Sequence, residues 1–348
     1  MHGYNAIVEH LLETYKVEPD TKDKNDRTPL SRAAENGHDT VVKRLLETGK
    51  VEPDIKDTYR QSTPLLYAAM NGHDTIIAQL LETGKVKPDT MDNNYRTPLS
   101  YAAEKGYDTV IKLLLGTGEV ELDKSVYSRR TPLSYAAGNG HDAIVELLLE
   151  TGKVRPDSTD KDGRTPLSYA AQNGHDAVVI RLLETGEVEP DVKYFSRTPL
   201  LETIKVKPGI MNKCARTPLS YAAEHGHDAV VQRLLETSKV KPDIKYESTR
   251  TPLSYAAGNG HDAIVKRLLE TGKVEPDTKE KYGQFTPLLF AAQNGHDTVF
   301  KRLLETGQVN PDSMSSFGKT PLQYAMEYGY TSIVNLIEQS KKKKGLEG

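Results

Sequence analysis

The chain has 348 residues, with 49 acidic and 46 basic side chains and a net charge of −3, too balanced for an electrostatic hold on nucleic acid or an anionic membrane. One cysteine, Cys214, excludes a disulfide framework and every metal cage needing two or more thiolates, which points to an intracellular protein. An apolar fraction of 36% without tryptophan, beside 26 glycines and 19 prolines, fits many short helices and frequent turns rather than one large core.

The tripeptide Thr-Pro-Leu recurs ten times, at Thr28, Thr63, Thr97, Thr131, Thr165, Thr198, Thr217, Thr251, Thr286 and Thr320. All but one of the spacings are 33 to 35 residues, and the exception is 19. Such a period is the signature of a solenoid. The unit at 130–163 shows the anatomy. Thr131 is an N-cap, Pro132 occupies N1, and Leu133, Ala136 and Ala137 form an i, i+3, i+4 stripe. Gly140 supplies a left-handed C′ residue and Asp142 puts negative charge at the start of a second helix. Ile144, Val145, Leu148 and Leu149 form that helix's apolar face, and Gly152 ends it. Residues 153–164, with Pro156 and Asp157, double back as a loop or hairpin finger. Helices this short are unstable alone, so each pair must bury its stripe against its neighbours.

In chain order, residues 1–27 read as a partial repeat, a second helix and finger only, with Ala6, Ile7, Val8, Leu11 and Leu12 as its apolar face. This start is expected of a truncated product or of a chain with a missing preceding segment. It lacks the basic start and apolar run of a signal peptide, and no stretch approaches the roughly 18 apolar residues of a membrane span. Five repeats follow over 28–197. Residues 198–216 form a truncated repeat lacking both helices, since 201–203 aligns with the Leu-Glu-Thr that ends other second helices. Direct stacking of the Thr165 unit on the Thr217 unit, with 187–216 bulging outward, is favoured over a swivel, because leaving flanking apolar faces exposed costs about 25 cal/mol per Å². Four more repeats occupy 217–340, and 341–348 is a basic tail whose Lys341 to Lys344 form a weak localisation signal or a solvated end.

On the Thr-Pro-Leu-x-x-Ala-Ala string and the Gly-His that follows it, the unit resembles the ankyrin repeat. The resemblance implies an all-α solenoid of helix-turn-helix units with projecting fingers. One departure recurs: the histidine after Leu in the family motif is replaced by Ser31, Leu66, Ser100, Ser134, Ser168, Ser220, Ser254, Leu289 and Gln323. The family's Thr-to-His bond at the helix entrance is therefore not carried over. The Gly-His position matches at His38, His73, His141, His175, His227, His261 and His296, with Tyr107 and Tyr330 as exceptions.

Strings that imitate active sites fail on context. Gly138-Asn139-Gly140-His141-Asp142-Ala143 has the form of a dinucleotide fingerprint, but a helix rather than a strand precedes it. The His-Asp doublets recur at the roughly 8–10 Å spacing of packed helices and cannot meet on one ion, so capping or bonding between repeats is their expected role. No metalloprotease, serine-hydrolase or P-loop string occurs. No enzyme activity, cofactor or metal is expected.

Binding remains. Within a near-constant frame the finger tips differ from unit to unit, and the resemblance implies that tips and the solvent side of helix one form a concave ligand surface. The candidates for partner contact are Tyr59, Tyr95, Arg96, Tyr127, Arg130, Arg164, Arg216, Arg250 and Tyr282, since tyrosine and arginine are typical interface anchors. The arginine column before the capping threonine, Arg27, Arg96, Arg130, Arg164, Arg216 and Arg250, with Lys319 in the last unit and Ser62 and Phe285 as interruptions, would suit an acidic, extended protein partner; pairing with nearby Asp and Glu is the alternative. The column Tyr67, Tyr101, Tyr135, Tyr169, Tyr221, Tyr255, Phe290 and Tyr324 is expected to pack between first helices, with ligand stacking as the other reading. The expected function is a protein-interaction scaffold, of the kind whose long near-identical arrays are common in filamentous fungi, cytoplasmic and/or nuclear. A transcriptional co-regulator acting through protein contacts, or the sensor end of a larger receptor, is the alternative. No direct nucleic-acid or membrane contact is expected.

Overall fold

Short helices led by proline alternate with helices led by aspartate along the chain. A computed structural model describes residues 2–13, 17–124, 130–188, 190, 216–243 and 250–346. They divide into two units, Met1–Asp160 and Lys161–Gly348. The first holds α1 (His2–Glu13), α2 (Pro29–Glu35), α3 (Asp39–Glu47), α4 (Pro64–Asn71), α5 (Asp74–Glu82), α6 (Pro98–Lys105), α7 (Asp108–Gly116), α8 (Pro132–Gly138) and α9 (Asp142–Glu150). The second holds α10 (Pro166–Asn173), α11 (Asp176–Glu184), α12 (Pro218–His225), α13 (Asp228–Glu236), α14 (Pro252–Gly258), α15 (Asp262–Glu270), α16 (Pro287–Asn294), α17 (Asp297–Glu305), α18 (Pro321–Glu327) and α19 (Thr331–Leu346). Every regular element among the described residues is a helix, and the fold is an all-α repeat solenoid.

In each unit the Pro-led helices stack in one row (α2, α4, α6, α8; α10, α12, α14, α16, α18) and the Asp-led helices in a second. The partial unit joins the second row, α1 packing on α3. The first row is thin because Leu99, Ala102 and Ala103 and their equivalents in the other described repeats before the last are buried, alanine letting neighbouring backbones approach. Each capping threonine accepts a bond from the N3 amide, as Thr131 Oγ1 does from Ser134 N at 3.2 Å. The serine standing where the family motif has histidine stays inside this cap: Ser134 Oγ lies 3.1 Å from Thr131 Oγ1, and Ser100 Oγ donates to the Thr97 carbonyl at 2.8 Å.

At His73, His141, His227, His261 and His296 the histidine of the Gly-His pair joins one repeat to the repeat before it. It makes no side-chain cap. Instead His141 Nε2 sits 3.0 Å from the Glu104 carbonyl oxygen, and His261 Nε2 3.0 Å from that of Glu224. A carbonyl only accepts, so Nε2 carries the proton in the neutral ring. The ring lies over the preceding unit's left-handed glycine: a Cβ on Gly106 would be 2.8 Å from His141 Cε1. Tyr107 and Tyr330 cover Gly72 and Gly295 in the same way. The same joint spans the short repeat. α10 packs directly on α12, α11 on α13, and His227 Nε2 lies 2.9 Å from the Gln172 carbonyl oxygen, 55 residues away. The Thr165 and Thr217 units are therefore stacked neighbours, while residues 191–215, Cys214 included, lie outside the described residues.

Two further links are electrostatic. Arg267 grips Asp228 with two bonds of 3.0 and 2.8 Å, and Arg302 grips Asp262 with two of 2.7 Å. Each guanidinium holds its carboxyl below the ordinary range. At the finger bases Asp20, Asp89 and Asp123 accept the amides of Glu52, Glu121 and Arg155, each 32 residues on. One boundary differs from expectation: the lysines at 341–344 are not part of a separate tail but continue α19, which runs to Leu346.

Gly174 has φ of +76°, and a Cβ there would sit 2.6 Å from His227 Nδ1. Gly307, also left-handed at φ +68°, would meet nothing within 4 Å. Gly174→Ala should therefore lower unfolding free energy by about 1–3 kcal/mol more than Gly307→Ala; equal losses in urea titrations would remove the ring contact as the cause. Burial holds the His227 pKa below its ordinary 6.5. Above that value the ring is neutral folded and unfolded. As pH falls through it the unfolded chain takes the proton first, so stability is lost on acidification. Tyrosine fits this position elsewhere, so His227→Tyr should flatten the fall in melting temperature between about pH 7.5 and 5.5. Unchanged slopes would contradict this.

Candidate partner-binding surface

Each finger ends in a tight turn set by its own hydrogen bonds. Asp92 N donates to the Arg96 carbonyl at 3.1 Å and Tyr95 N to the Asp92 carbonyl at 3.0 Å. The Asp92 carboxylate gathers the amides of Asn94 and Arg96, both at 2.9 Å. Its second oxygen accepts the Tyr101 hydroxyl at 2.6 Å, as Asp57 accepts Tyr67 at 2.8 Å. Burial and the Asp92 bond push the Tyr101 hydroxyl up to about 12, and burial with Asp57 raises that of Tyr67 further. The tyrosine column thus ties finger to helix one. Its sequence signal was an acid five or six residues before the threonine, Asp92 before Thr97 and Asp57 before Thr63. In the last unit Ser315 Oγ and Tyr324 Oη make the equivalent contact at 3.1 Å.

The arginine column is drawn into the same frame. The Arg96 guanidinium stacks between Tyr101 and Tyr135, 3.8 and 4.4 Å from the ring centroids, pairs with Glu104 at 2.9 Å and donates to the Ser100 carbonyl at 3.2 Å. Arg216 lies between Tyr221 and Tyr255 and pairs with Glu224. Arg250 lies between Tyr255 and Phe290 and pairs with Glu280 at 3.4 Å. Arg130 covers Tyr135 and donates to the Ser134 carbonyl, and Arg164 covers Tyr169. Only 18% of the Arg96 side chain and 15% of Arg216 is exposed. Of the two readings for this column, pairing with acids is the arrangement the structure has, although Glu104 and Glu224 come from the first helices rather than the loops.

The tyrosine tips face outward: Tyr59 is 62% exposed, Tyr95 41% and Tyr282 57%. Tyr127 lies outside the described residues. Neighbouring tips are joined by backbone bonds, Thr58 N to the Asn25 carbonyl at 3.0 Å and Asn93 N to the Arg60 carbonyl at 2.8 Å. The residue two before the capping threonine is left-handed in every described tip that shows it. Glycine fills it at Gly163 and Gly318, but Asp26, Gln61, Tyr95 and Gln284 hold φ of 54–60° there. Sequence reasoning missed Phe317, the tip of the last finger and 72% exposed.

Among the described residues no group of three or more His, Cys, Asp or Glu is placed to hold a metal ion, and no helix is long and apolar enough to cross a membrane. A family model described as ankyrin repeats, three copies, matches residues 1–87, 42–126, 99–194, 192–280 and 263–345. The crystal structure of the human ASB11 ankyrin repeat domain is similar, with 26% identity and a TM-score of 0.56 over 69% of this chain and 98% of that one. No curated protein matches the chain.

Lysine keeps the charge of Arg96 but not a plane that stacks on two rings while donating to Glu104 and Ser100. Arg96→Lys should cost about 1–2 kcal/mol of stability. Arg60→Lys, at an exposed tip, should stay within about 0.5 kcal/mol of the unmutated chain. Equal melting temperatures for all three proteins would show that the stacked arginines add nothing.

Proposed function

The chain belongs to the ankyrin-repeat family, and from that premise we propose that it is a non-catalytic scaffold inside the cell, holding a protein partner on its finger tips and first-helix face. Ankyrin repeats are in general protein–protein interaction modules, and the proposal assigns that role here to the described tips. It reads 28–197 as five repeats, 217–340 as four, 1–27 as a half unit and 198–216 as a shortened one. Tyr59, Tyr95 and Tyr282 are its anchors. Arg96, Arg130, Arg164, Arg216 and Arg250 line the helix-one side, where their partly exposed edges meet an acidic, extended partner.

One observation carries it. Tyr95 holds φ of +60° at a position where two other tips use glycine. A bulky residue in that region costs on the order of 1–3 kcal/mol, and such strain collects at binding and switch sites. Its ring is 41% exposed beside the tip that presents Tyr59, so local stability is given up where an aromatic group is presented to solvent. Tyrosine has the rigid amphipathic surface that interface hot spots favour.

The test separates contact from stability. Tyr59→Ala with Tyr95→Gly removes two rings and restores glycine at the strained point, so melting temperature should hold or rise, by up to about 1 kcal/mol in stability. Partners captured by the unmutated chain from its native cells, identified by mass spectrometry and purified, should bind the variant at least about tenfold more weakly. An unchanged dissociation constant would sink the assignment. Chromatin-associated partners would make the protein a co-regulator, and receptor or cytoskeletal partners a cytosolic scaffold or sensor end; both use this surface.

A further inference from the structure

The last two fingers, 274–285 and 309–319, carry the most exposed aromatic side chain among the described residues, Phe317 at 72%, together with Tyr282 at 57% and Met314 at 56%. Ser316 N donates to the Gly283 carbonyl at 2.8 Å. Tyr282 and Phe317 therefore flank a bond that fixes one tip to the next. Beneath them Phe285 is buried. Its ring meets Phe317 edge-on at 6.3 Å, stacks on Phe290 at 4.9 Å and lies 5.6 Å from Tyr324. Phe285 takes the place that Arg96, Arg216 and Arg250 hold before their threonines, so the stacked cation is replaced here by an apolar floor continuous with the surface.

Charge defines what this patch accepts. Acids around it are matched by cations: Glu280 with Arg250, Glu327 with Lys319, and Asp312 with Lys341 at 2.8 Å. Lys279 and Lys281 are exposed on either side of Glu280, and Lys281 Nζ lies 5.9 Å from the Tyr282 ring centroid. An aromatic step beside two exposed ammonium groups is complementary to apolar side chains flanked by carboxylates. A nucleic-acid strand is less well served, because two lysines on a chain of net charge −3 give no track for successive phosphates.

We propose that the tips of the last two fingers dock an extended acidic peptide segment of a partner protein, seating one of its large apolar side chains on Phe317 and Tyr282 and its carboxylates on Lys279 and Lys281. The proposal rests on the scaffold reading and names the partner chemistry of a second patch, separate from Tyr59 and Tyr95.

The probe is a fluorescent synthetic peptide of about ten residues with a central Phe-Leu pair among Glu and Asp, titrated with the full chain and read by anisotropy. Saturable binding is expected, weakening as salt rises from about 0.05 to 0.5 M. Binding should be at least about tenfold weaker with alanines at the peptide's centre or lysines at its flanks. Phe317→Ser should weaken binding about tenfold, and so should Lys279→Glu with Lys281→Glu, which leaves every ring in place. All these positions are exposed, so the variants should melt like the unmutated chain. The Tyr59→Ala, Tyr95→Gly variant should bind the peptide normally, so failure here is distinguishable from failure of the scaffold surface. Absence of saturable binding, indifference to both sets of variants, or tighter binding of an oligothymidine strand than of the peptide would overturn the proposal.

Discussion

Within each of the two described units the stack depends on one contact, the docking of an aromatic ring from a second-helix entrance onto the left-handed glycine of the preceding repeat. His73, Tyr107 and His141 dock in this way on Gly37, Gly72 and Gly106, and His227, His261, His296 and Tyr330 on Gly174, Gly226, Gly260 and Gly295. Helices of seven to nine residues do not persist alone in water, so each pair exists only against its neighbours. The glycine makes the approach possible twice over: it alone adopts positive φ without cost, and it alone leaves space for the ring. The Nε2–carbonyl bond then satisfies a backbone oxygen near the end of the preceding first helix that the helix itself leaves open. Because the ring and the glycine both recur, the joint can be made between units that are not adjacent in sequence. His227 shows this by reaching Gln172 across the short repeat.

A second set of contacts makes the fingers rigid. Asp57 and Asp92 fold their turns and receive the hydroxyls of Tyr67 and Tyr101 on helix one, and Arg96, Arg216 and Arg250 stack on the rings of their own repeat and the next. The Arg96, Arg216 and Arg250 guanidiniums lie against aromatic faces and a carboxylate, and out of bulk water such attraction counts for more. The tips join this bracing through backbone amides such as those of Asn94 and Tyr95. They are held in place from below while free to differ, which is what a recognition surface on a repeat scaffold requires.

The two tip clusters solve that requirement differently. In the first unit Tyr95 is held in a strained backbone region. In the second, Phe317 rests on Phe285 and needs no strain of its own, since Gly318 takes the left-handed position. Recognition therefore costs local backbone stability at the one and none at the other.

Reading the Thr-Pro-Leu string, the alanine pair, the glycine and the aspartate start was enough to place each helix and its buried face, because those signals act within one turn of helix and need no knowledge of neighbours. The serine that replaces histidine was legible only as a departure; its bond back to the capping threonine is local but depends on a rotamer. The arginine column stayed ambiguous between partner contact and internal pairing because its decisive partner is remote: Arg96 meets Tyr135, 39 residues away, and only stacking brings the ring over the guanidinium. Phe317 was passed over because a lone phenylalanine in a loop looks the same whether it faces solvent or core. Periodicity and capping thus determined, from the sequence alone, the unit and its two helices, and the resemblance of its motif string pointed to the family. Which side chains brace the frame and which remain for a partner was decided by tertiary packing, since that depends on what the next unit places within about 4 Å.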